Sequence, residues 1–376
     1  MRKVLYVTGT RADYGLMAST LARIAAHPAL SLQVAVTGMH LSEAYGLTVR
    51  EIEADSLPIV ARIPTGVDER SADAMAHGIG LTVSGLTDAM REHQPDLVLL
   101  LGDRGEMLAG AIAALHRGIP IAHLHGGERS GTVDEPVRHA ISKLSHWHFA
   151  ATGESRERLV RMGERAEHVW VTGAPSLDGI LEQSNPNREA TLSGLGLPAG
   201  ARYALVLFHP VVQEAGDAYA QTEALREALE HTVLTSGRSV VWLDPNADAG
   251  GEGILRALDG AGVRRIRHLP RSLYLSALRH ADLLAGNSSS GIIEAASFGT
   301  PVVNVGSRQN ARQRNANTLD CEPLRGAIEA ALQSQLAHGP YAPANAYGDG
   351  RAGERIVDLL ARQPFAPDLL NKVNTY

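Results

Sequence analysis

The sequence predicts an α/β protein of two doubly wound halves, each a parallel sheet with helices on both faces. Three observations lead there. Short, continuous Val/Leu/Ile runs alternate with segments of helical spacing along the chain. Unbroken apolar runs belong to strands buried on both faces, and each crossover helix must pack back on its sheet. The alternation pauses once, near Thr172–Leu177, and then restarts. Finally, 376 residues exceed one ordinary core, so two domains of roughly 150 to 200 residues each are expected.

In the first half, Val4–Thr8, Ser31–Thr37, Leu97–Leu101, Pro120–Leu124 and Trp147–Ala151 read as strands, with helical spacing over Leu86–Glu92 and Met107–Arg117. Another helix begins near Pro136, which suits a first turn, and carries Val137, Ala140, Ile141 and Leu144 on one face. The pause at Val171-Thr172-Gly173-Ala174-Pro175 opens onto a polar stretch containing Pro186 and Pro198. Tyr203–Phe208, Ser239–Leu243, Arg264–His268, Asp282–Ala285 and Val302–Val305 then supply a second set of strands. The expected domains are residues 1–172 and 173–376, facing each other across a cleft. Ala247–Gly253 is Gly-rich enough to be a mobile loop.

Charge and composition narrow the function. Lys+Arg 35 against Asp+Glu 41 gives net −6, which argues against a sequence-independent nucleic-acid binder. An aromatic content of 4% weakens any single-strand stacking platform. An anionic ligand must therefore be held by a local site. The single cysteine, Cys321, has no internal disulfide partner and reads as a small buried hydrophobe in a reducing compartment. The apolar run after Arg2 and Lys3 stops at Thr8, too short for a signal-peptide core, and runs such as Leu97–Leu101 fall far short of a membrane span. A cytoplasmic protein with neither nucleic-acid nor membrane partners is expected.

Ligands of open parallel sheets bind beyond the carboxyl ends of the strands, which directs attention to the following turns. The first, Gly9-Thr10-Arg11-Ala12-Asp13-Tyr14-Gly15, lacks both the GxGxxG fingerprint and a Walker lysine. Arg11 could grip a phosphate at a helix start or be an exposed loop arginine. Asp103, in Gly102-Asp103-Arg104, could orient a substrate hydroxyl, act as a base, or cap the next helix. The densest polar cluster runs from His123 to His139 and includes His125, Gly126, Gly127, Glu128, Asp134 and Arg138. Asp134 and Arg138 are four apart, so both can point from a helix start toward a ligand, or simply form an ion pair. Its glycines let backbone approach a ligand closely. The pairs His123/His125 and His146/His148 alternate on strands and open a metal-hydrolase reading, although no ligand spacing such as HExxH is present.

In the second half, His209 ends a strand in Phe208-His209-Pro210, and Asp244-Pro245-Asn246 ends the next. Gly286-Asn287-Ser288-Ser289-Ser290-Gly291-Ile292-Ile293-Glu294 joins a strand to a helix. Free N–H groups and hydroxyls at that start form an anion cradle needing no net positive charge. Glu294 could accept bonds from a ribose diol, or complete a capping box with a serine N-cap.

Gly9–Gly15, Gly102-Asp103-Arg104, His123–Lys143, Phe208-His209-Pro210, and Gly286–Glu294 followed by Arg308-Gln309 together resemble the hydrolysing UDP-N-acetylglucosamine 2-epimerases of sialic-acid-type and legionaminic-acid-type sugar pathways. The resemblance runs over nearly the whole chain. It implies a GT-B fold of two Rossmann-like domains, a C-terminal helix near 351–362 packing on the first domain, and a homodimer or homotetramer. It implies no cofactor and no metal. The implied reaction converts UDP-N-acetylglucosamine to UDP and free N-acetylmannosamine, by elimination of UDP and addition of water. By the same resemblance, Asp103, His125, Glu128, Asp134, Arg138 and His209 are catalytic candidates. Arg11, His209, Ser289, Ser290, Gly291, Glu294, Arg308 and Arg312 are substrate-binding candidates. Family members carry Glu where this chain has His125, and a His there is similar to the branch acting on UDP-N,N'-diacetylbacillosamine, the second substrate expected. A GT-B glycosyltransferase is the remaining alternative. Val212 replaces a common Thr, and Leu16 stands where non-hydrolysing relatives have Lys.

Overall fold

The computed structural model describes residues 1–66, 71–131, 134–246 and 248–375. In chain order, the first part comprises β1 (Arg2–Thr8), α1 (Arg11–Ala26), β2 (Leu30–Thr37), α2 (Val49–Ala54), β3 (Ile59–Ile63), α3 (Ala72–His93), β4 (Leu97–Leu101), α4 (Gly105–His116), β5 (Ile121–Leu124), α5 (Asp134–Leu144), β6 (Trp147–Ala150), α6 (Gly153–Arg161) and β7 (Val169–Val171). Then follow α7 (Ile180–Gln183), α8 (Arg188–Leu195), β8 (Tyr203–Leu207), α9 (Ala218–Leu229), β9 (Ser239–Leu243), α10 (Gly251–Ala257), β10 (Arg264–Ile266), α11 (Arg271–His280), β11 (Leu283–Gly286), α12 (Ser289–Ile293), β12 (Val302–Val305), β13 (Thr318–Cys321), α13 (Arg325–His338) and α14 (Ala352–Arg362).

Two compact units result. Unit 1 is Met1–Glu128, Asp134–Asp178 and Tyr347–Tyr376; unit 2 is Arg129–Val133 and Gly179–Ala346. In unit 1 seven parallel strands run in the order β3-β2-β1-β4-β5-β6-β7, and in unit 2 six run β10-β9-β8-β11-β12-β13. Both orders reverse direction at one point, between β1 and β4 and between β8 and β11. That topology is doubly wound, and the reversal marks where a ligand crevice opens at the carboxyl ends.

The sequence marked all the central strands and one edge strand, β10. Leu97–Leu101 and Tyr203–Leu207 are buried at every position, as unbroken apolar runs require. Three strands were not expected: β3, β7 and β13 lie at the sheet edges and are half-exposed, and no apolar run within them exceeds three residues.

On one face of the unit 1 sheet, Met17, Leu21 and Ile24 of α1 share a core with Ile356, Val357 and Leu360 of α14. On the other, Leu86, Met90, Met107, Ala111 and Ile141 from α3, α4 and α5 cover Val7, Val98 and Leu100. The division between units falls after Asp178, not after residue 172, and the chain from Tyr347 onward belongs to unit 1. The reason is local: the Asp178 carboxylate accepts the N–H groups of Ala352 and Gly353 at 2.8 and 2.6 Å, capping α14. In unit 2, Leu225, Leu229, Ile254, Ile328 and Leu332 pack on Val206, Trp242 and Val303. Among the described residues, no helix is long and apolar enough to cross a membrane.

Candidate functional site

In unit 1 the polar residues gather where β1, β4 and β5 end. Thr10 N-caps α1, and the Asp13 carboxylate folds back onto the turn, accepting from the N–H of Gly9 and of Thr10 at 3.1 and 2.8 Å and from the Thr8 hydroxyl. Burial pushes Asp13 up to about 6 against the pull of those hydroxyls. Asp13 thus shapes the turn that presents Arg11, the first residue of α1, whose charge acts on Glu51 and on His40. His40 bridges the hydroxyls of Thr8 and Thr48 at 2.9 and 2.8 Å, and burial lowers it to about 4, so it is neutral at pH 7.

Asp103 follows β4 and forms an ion pair with Arg138 of α5. Arg138 is fully buried and its other terminal nitrogen donates to the Glu128 carbonyl at 3.2 Å. One guanidinium therefore ties the turn after β4 to the turn after β5, a geometry that suits the planar fork of arginine. His125 sits at φ +61°, the left-handed region in which a non-glycine residue is strained. Its Nδ1 lies 2.5 Å from Glu128 Oε1, with both side chains nearly buried. A carboxylate in that position orients the imidazole. Asp134 opens α5, one turn before Arg138. Thr132 and Val133 of the same motif, and Ala247 at the start of the expected mobile loop, lie outside the described residues.

The histidine pairs do not converge. His123 contacts Gly102 O and Ser142 Oγ at 2.7 and 3.1 Å, His146 Nδ1 accepts from the Ile121 N–H, and His148 Nε2 lies 2.8 Å from Glu164. Among the described residues no three His, Cys, Asp or Glu side chains form a metal-binding group.

In unit 2, Asn287, directly after β11, holds His209 by both backbone groups. Its Oδ1 accepts the His209 N–H and its Nδ2 donates to the His209 carbonyl, each at 2.8 Å, while His209 Nδ1 accepts from the Asn246 N–H at 3.2 Å. Arg308 and Gln309 donate to the Asn287 carbonyl at 3.2 and 3.0 Å, and the Arg312 N–H donates to Gln309 O at 3.3 Å. This lattice spans the switch point between β8 and β11.

Ser288 N-caps α12, with Ser289 as its first residue. The helix is only five residues long, so its macrodipole is small and any anion affinity rests on local N–H and hydroxyl groups. Glu294 follows the helix end, so the capping box is ruled out by position. Nearly inaccessible at 1%, Glu294 pairs with Arg271 and accepts from Ser290 Oγ, which also contacts the Tyr274 hydroxyl. Gly291 faces the sheet: a Cβ there would lie 3.1 Å from both Leu284 and Val302, and its N–H donates to Ser288 O. Its absence of a side chain lets α12 approach β11 and β12, as a glycine does where helix and sheet meet closely.

Sequence reading assigned no role to Asn287, Arg271 or Tyr274. Asn287 was findable, as the first polar side chain after a strand at the reversal point. Arg271 and Tyr274 reach Glu294 from α11, and nothing in the linear order signals that approach.

The chain matches the family model described as UDP-N-acetylglucosamine 2-epimerase over residues 22–361. It is 46% identical over 380 residues to the UDP-N,N'-diacetylbacillosamine 2-epimerase (hydrolyzing) of Legionella pneumophila, covering 100% of each chain. To the UDP-N-acetylglucosamine 2-epimerase of Neisseria meningitidis serogroup B it is 34% identical, covering 96% of this chain and 95% of that one. Among solved structures, UDP-GlcNAc 2-epimerase from Neisseria meningitidis bound to UDP-GlcNAc superposes with a TM-score of 0.80 at 20% identity, over 96% of this chain and 100% of that one. The Methanocaldococcus jannaschii UDP-GlcNAc 2-epimerase in complex with UDP-GlcNAc and UDP gives 0.80 at 18%, over 95% and 99%. These likenesses show the GT-B fold class.

Proposed function

Because the chain belongs to the UDP-N-acetylglucosamine 2-epimerase family, we propose that it is a hydrolysing 2-epimerase that converts UDP-N,N'-diacetylbacillosamine to UDP and free 2,4-diacetamido-2,4,6-trideoxymannose. For the reaction, the observation that carries the reading is the buried cluster of Asp103, Arg138, His125 and Glu128 at the strand ends of unit 1. The order of substrates expected from sequence is reversed here, because the 46% relative spans the whole chain and is named for the 4-acetamido sugar. UDP-N-acetylglucosamine is the second reading, favoured by the 34% relative.

The chemistry has two stages. A base takes the C2 proton, the C1–O bond breaks toward UDP, and the electron pair forms the C1–C2 double bond of a 2-acetamidoglycal. Water then adds its hydroxyl to C1 while a proton returns to C2 from the other face, and the free sugar leaves. His125, oriented by Glu128, acts as the acid–base group at the sugar. Asp103 and Asp134 engage the sugar, with Arg138 fixing Asp103. In unit 2, Ser289, the N–H groups around it and His209 take the diphosphate, and Glu294 the ribose. Arg308 and Arg312 stabilise the charge that develops on departing UDP. The enzyme acts in the cytoplasm as a homodimer or homotetramer, which light scattering of the purified protein tests.

The decisive experiment incubates the protein with each UDP sugar in deuterated water and follows UDP and free sugar by NMR. The proposal expects UDP plus a manno-configured sugar deuterated at C2, faster from the diacetylated substrate. Release from UDP-N-acetylglucosamine alone selects the second reading. An epimerised sugar still bearing UDP, or UDP release only with an added acceptor, refutes hydrolysis.

A further inference from the structure

We propose that His123, to which the chemistry above gives no role, is the positioning residue of the unit 1 site: one neutral imidazole holds the turns carrying Asp103 and His125 in register with α5. The proposal rests on the functional reading just given. His123 is fully buried on β5, and its two nitrogens serve different elements. Nε2 lies 2.7 Å from the carbonyl of Gly102, the residue before Asp103. Nδ1 lies 3.1 Å from Ser142 Oγ on α5, and that hydroxyl is also 3.0 Å from the carbonyl of Arg138. The backbone of the following turn lies against both groups: a Cβ on Gly126 would come within 3.0 Å of His123 Nδ1 and 2.9 Å of Ser142 Oγ.

The hydrogen-bond inventory fixes the tautomer. A carbonyl only accepts, so Nε2 carries the proton and Nδ1 is an acceptor, which shares the single Ser142 hydroxyl proton with the Arg138 carbonyl. Burial lowers the imidazole to about 3, consistent with a ring that stays neutral throughout the working range. His123 thus differs from His125 one strand-repeat away, which faces a carboxylate. Asp103 and Arg138 meet in an ion pair, and Gly102, beside Asp103, and Ser142, one helical turn after Arg138, contact the same ring. Losing the ring frees the turn after β4 from α5, and a displacement of about 1 Å at a reacting group is enough to cost on the order of 10²-fold in rate.

The test compares His123→Phe, His123→Gln and Ser142→Ala with the native enzyme in steady-state UDP release, with thermal unfolding as the folding control. Phe keeps a ring and offers no hydrogen bonds; Gln restores a donor at the Nε2 position. The expected result is a kcat lowered on the order of 10²-fold in His123→Phe with KM little changed, partial recovery of kcat in His123→Gln, and a loss of about three- to tenfold in Ser142→Ala. A folded His123→Phe enzyme with native kcat, or a Gln variant no better than Phe, overturns the proposal. If His123→Phe does not fold, a native kcat in Ser142→Ala overturns it instead. Should the native protein release no UDP from either sugar, the functional reading fails, and positioning is then decided by the 13C resonance of the Asp103 carboxyl. That resonance is expected to differ between native protein and Ser142→Ala, and an unchanged resonance overturns the proposal.

Discussion

Replacing Arg138 by lysine keeps the buried positive charge and removes only the fork. In the native protein one terminal nitrogen binds Asp103 while the other donates to the Glu128 carbonyl at 3.2 Å. A single ammonium on a shorter reach satisfies one of these, and the ion pair takes precedence. The Glu128 carbonyl then loses a charged donor, at a cost of about 1.5–3 kcal/mol. For a domain of this size each kcal/mol lowers the melting temperature by roughly 2–4 °C, so a fall of about 3–12 °C is expected. Turnover should fall further than stability suggests, by about 10²-fold, because the turn after β5 also carries the His125–Glu128 pair. Differential scanning calorimetry and UDP release measure the two effects. A variant melting within about 1 °C of the native protein with undiminished turnover would show that the arginine bridge carries neither load.

Three other outcomes are expected. Asp134→Asn should keep UDP binding, measured by calorimetric titration, and lower turnover by about two to four powers of ten, the usual share of an acid–base group. Asn287→Ala removes both bonds to the His209 backbone, so it should destabilise the protein by about 1–3 kcal/mol in denaturant titrations and weaken UDP binding. Burial opposes the Glu164 carboxylate, but His148, Lys372 and Lys143 outweigh it and hold it at about 2, below its ordinary 4.5. A depressed carboxylate contributes stability that is whole above pH 4.5 and lost as pH falls toward 2, so Glu164→Gln should flatten the acid limb of a stability–pH curve over that window.

Sequence legibility followed burial. Leu97–Leu101 and Val302–Val305 were found residue for residue because central strands must be apolar on both faces. Thr318–Cys321 was missed because an edge strand is free to be polar. The site divides in the same way. His125, Glu128 and Arg138 lie close in sequence and could be gathered by inspection, and so could Ser288–Glu294. The pairing of Arg138 with Asp103 and the approach of Arg271 to Glu294 depend on which strand ends lie side by side. Spacing along one helix cannot reveal contacts that the sheet order creates. Gly291 also packs closely, against Leu284 and Val302, which its place in the sequence did not show.

The return of the chain to unit 1 has a consequence for the order of folding. Lys372 donates to the carbonyls of Ser142 and Ser145 at the end of α5 and to Glu164, across a sequence separation of 230 residues in the first case. Closing a flexible loop of about that length costs on the order of 5 kcal/mol in chain entropy. Nearly all of unit 2 is the single stretch Gly179–Ala346 inside that loop, and a folded unit 2 removes most of its freedom before the ends meet. During synthesis, unit 2 therefore has its chain complete first, while the helix bearing Arg138 waits with an uncapped end. The half begun earliest by the ribosome is the half finished last.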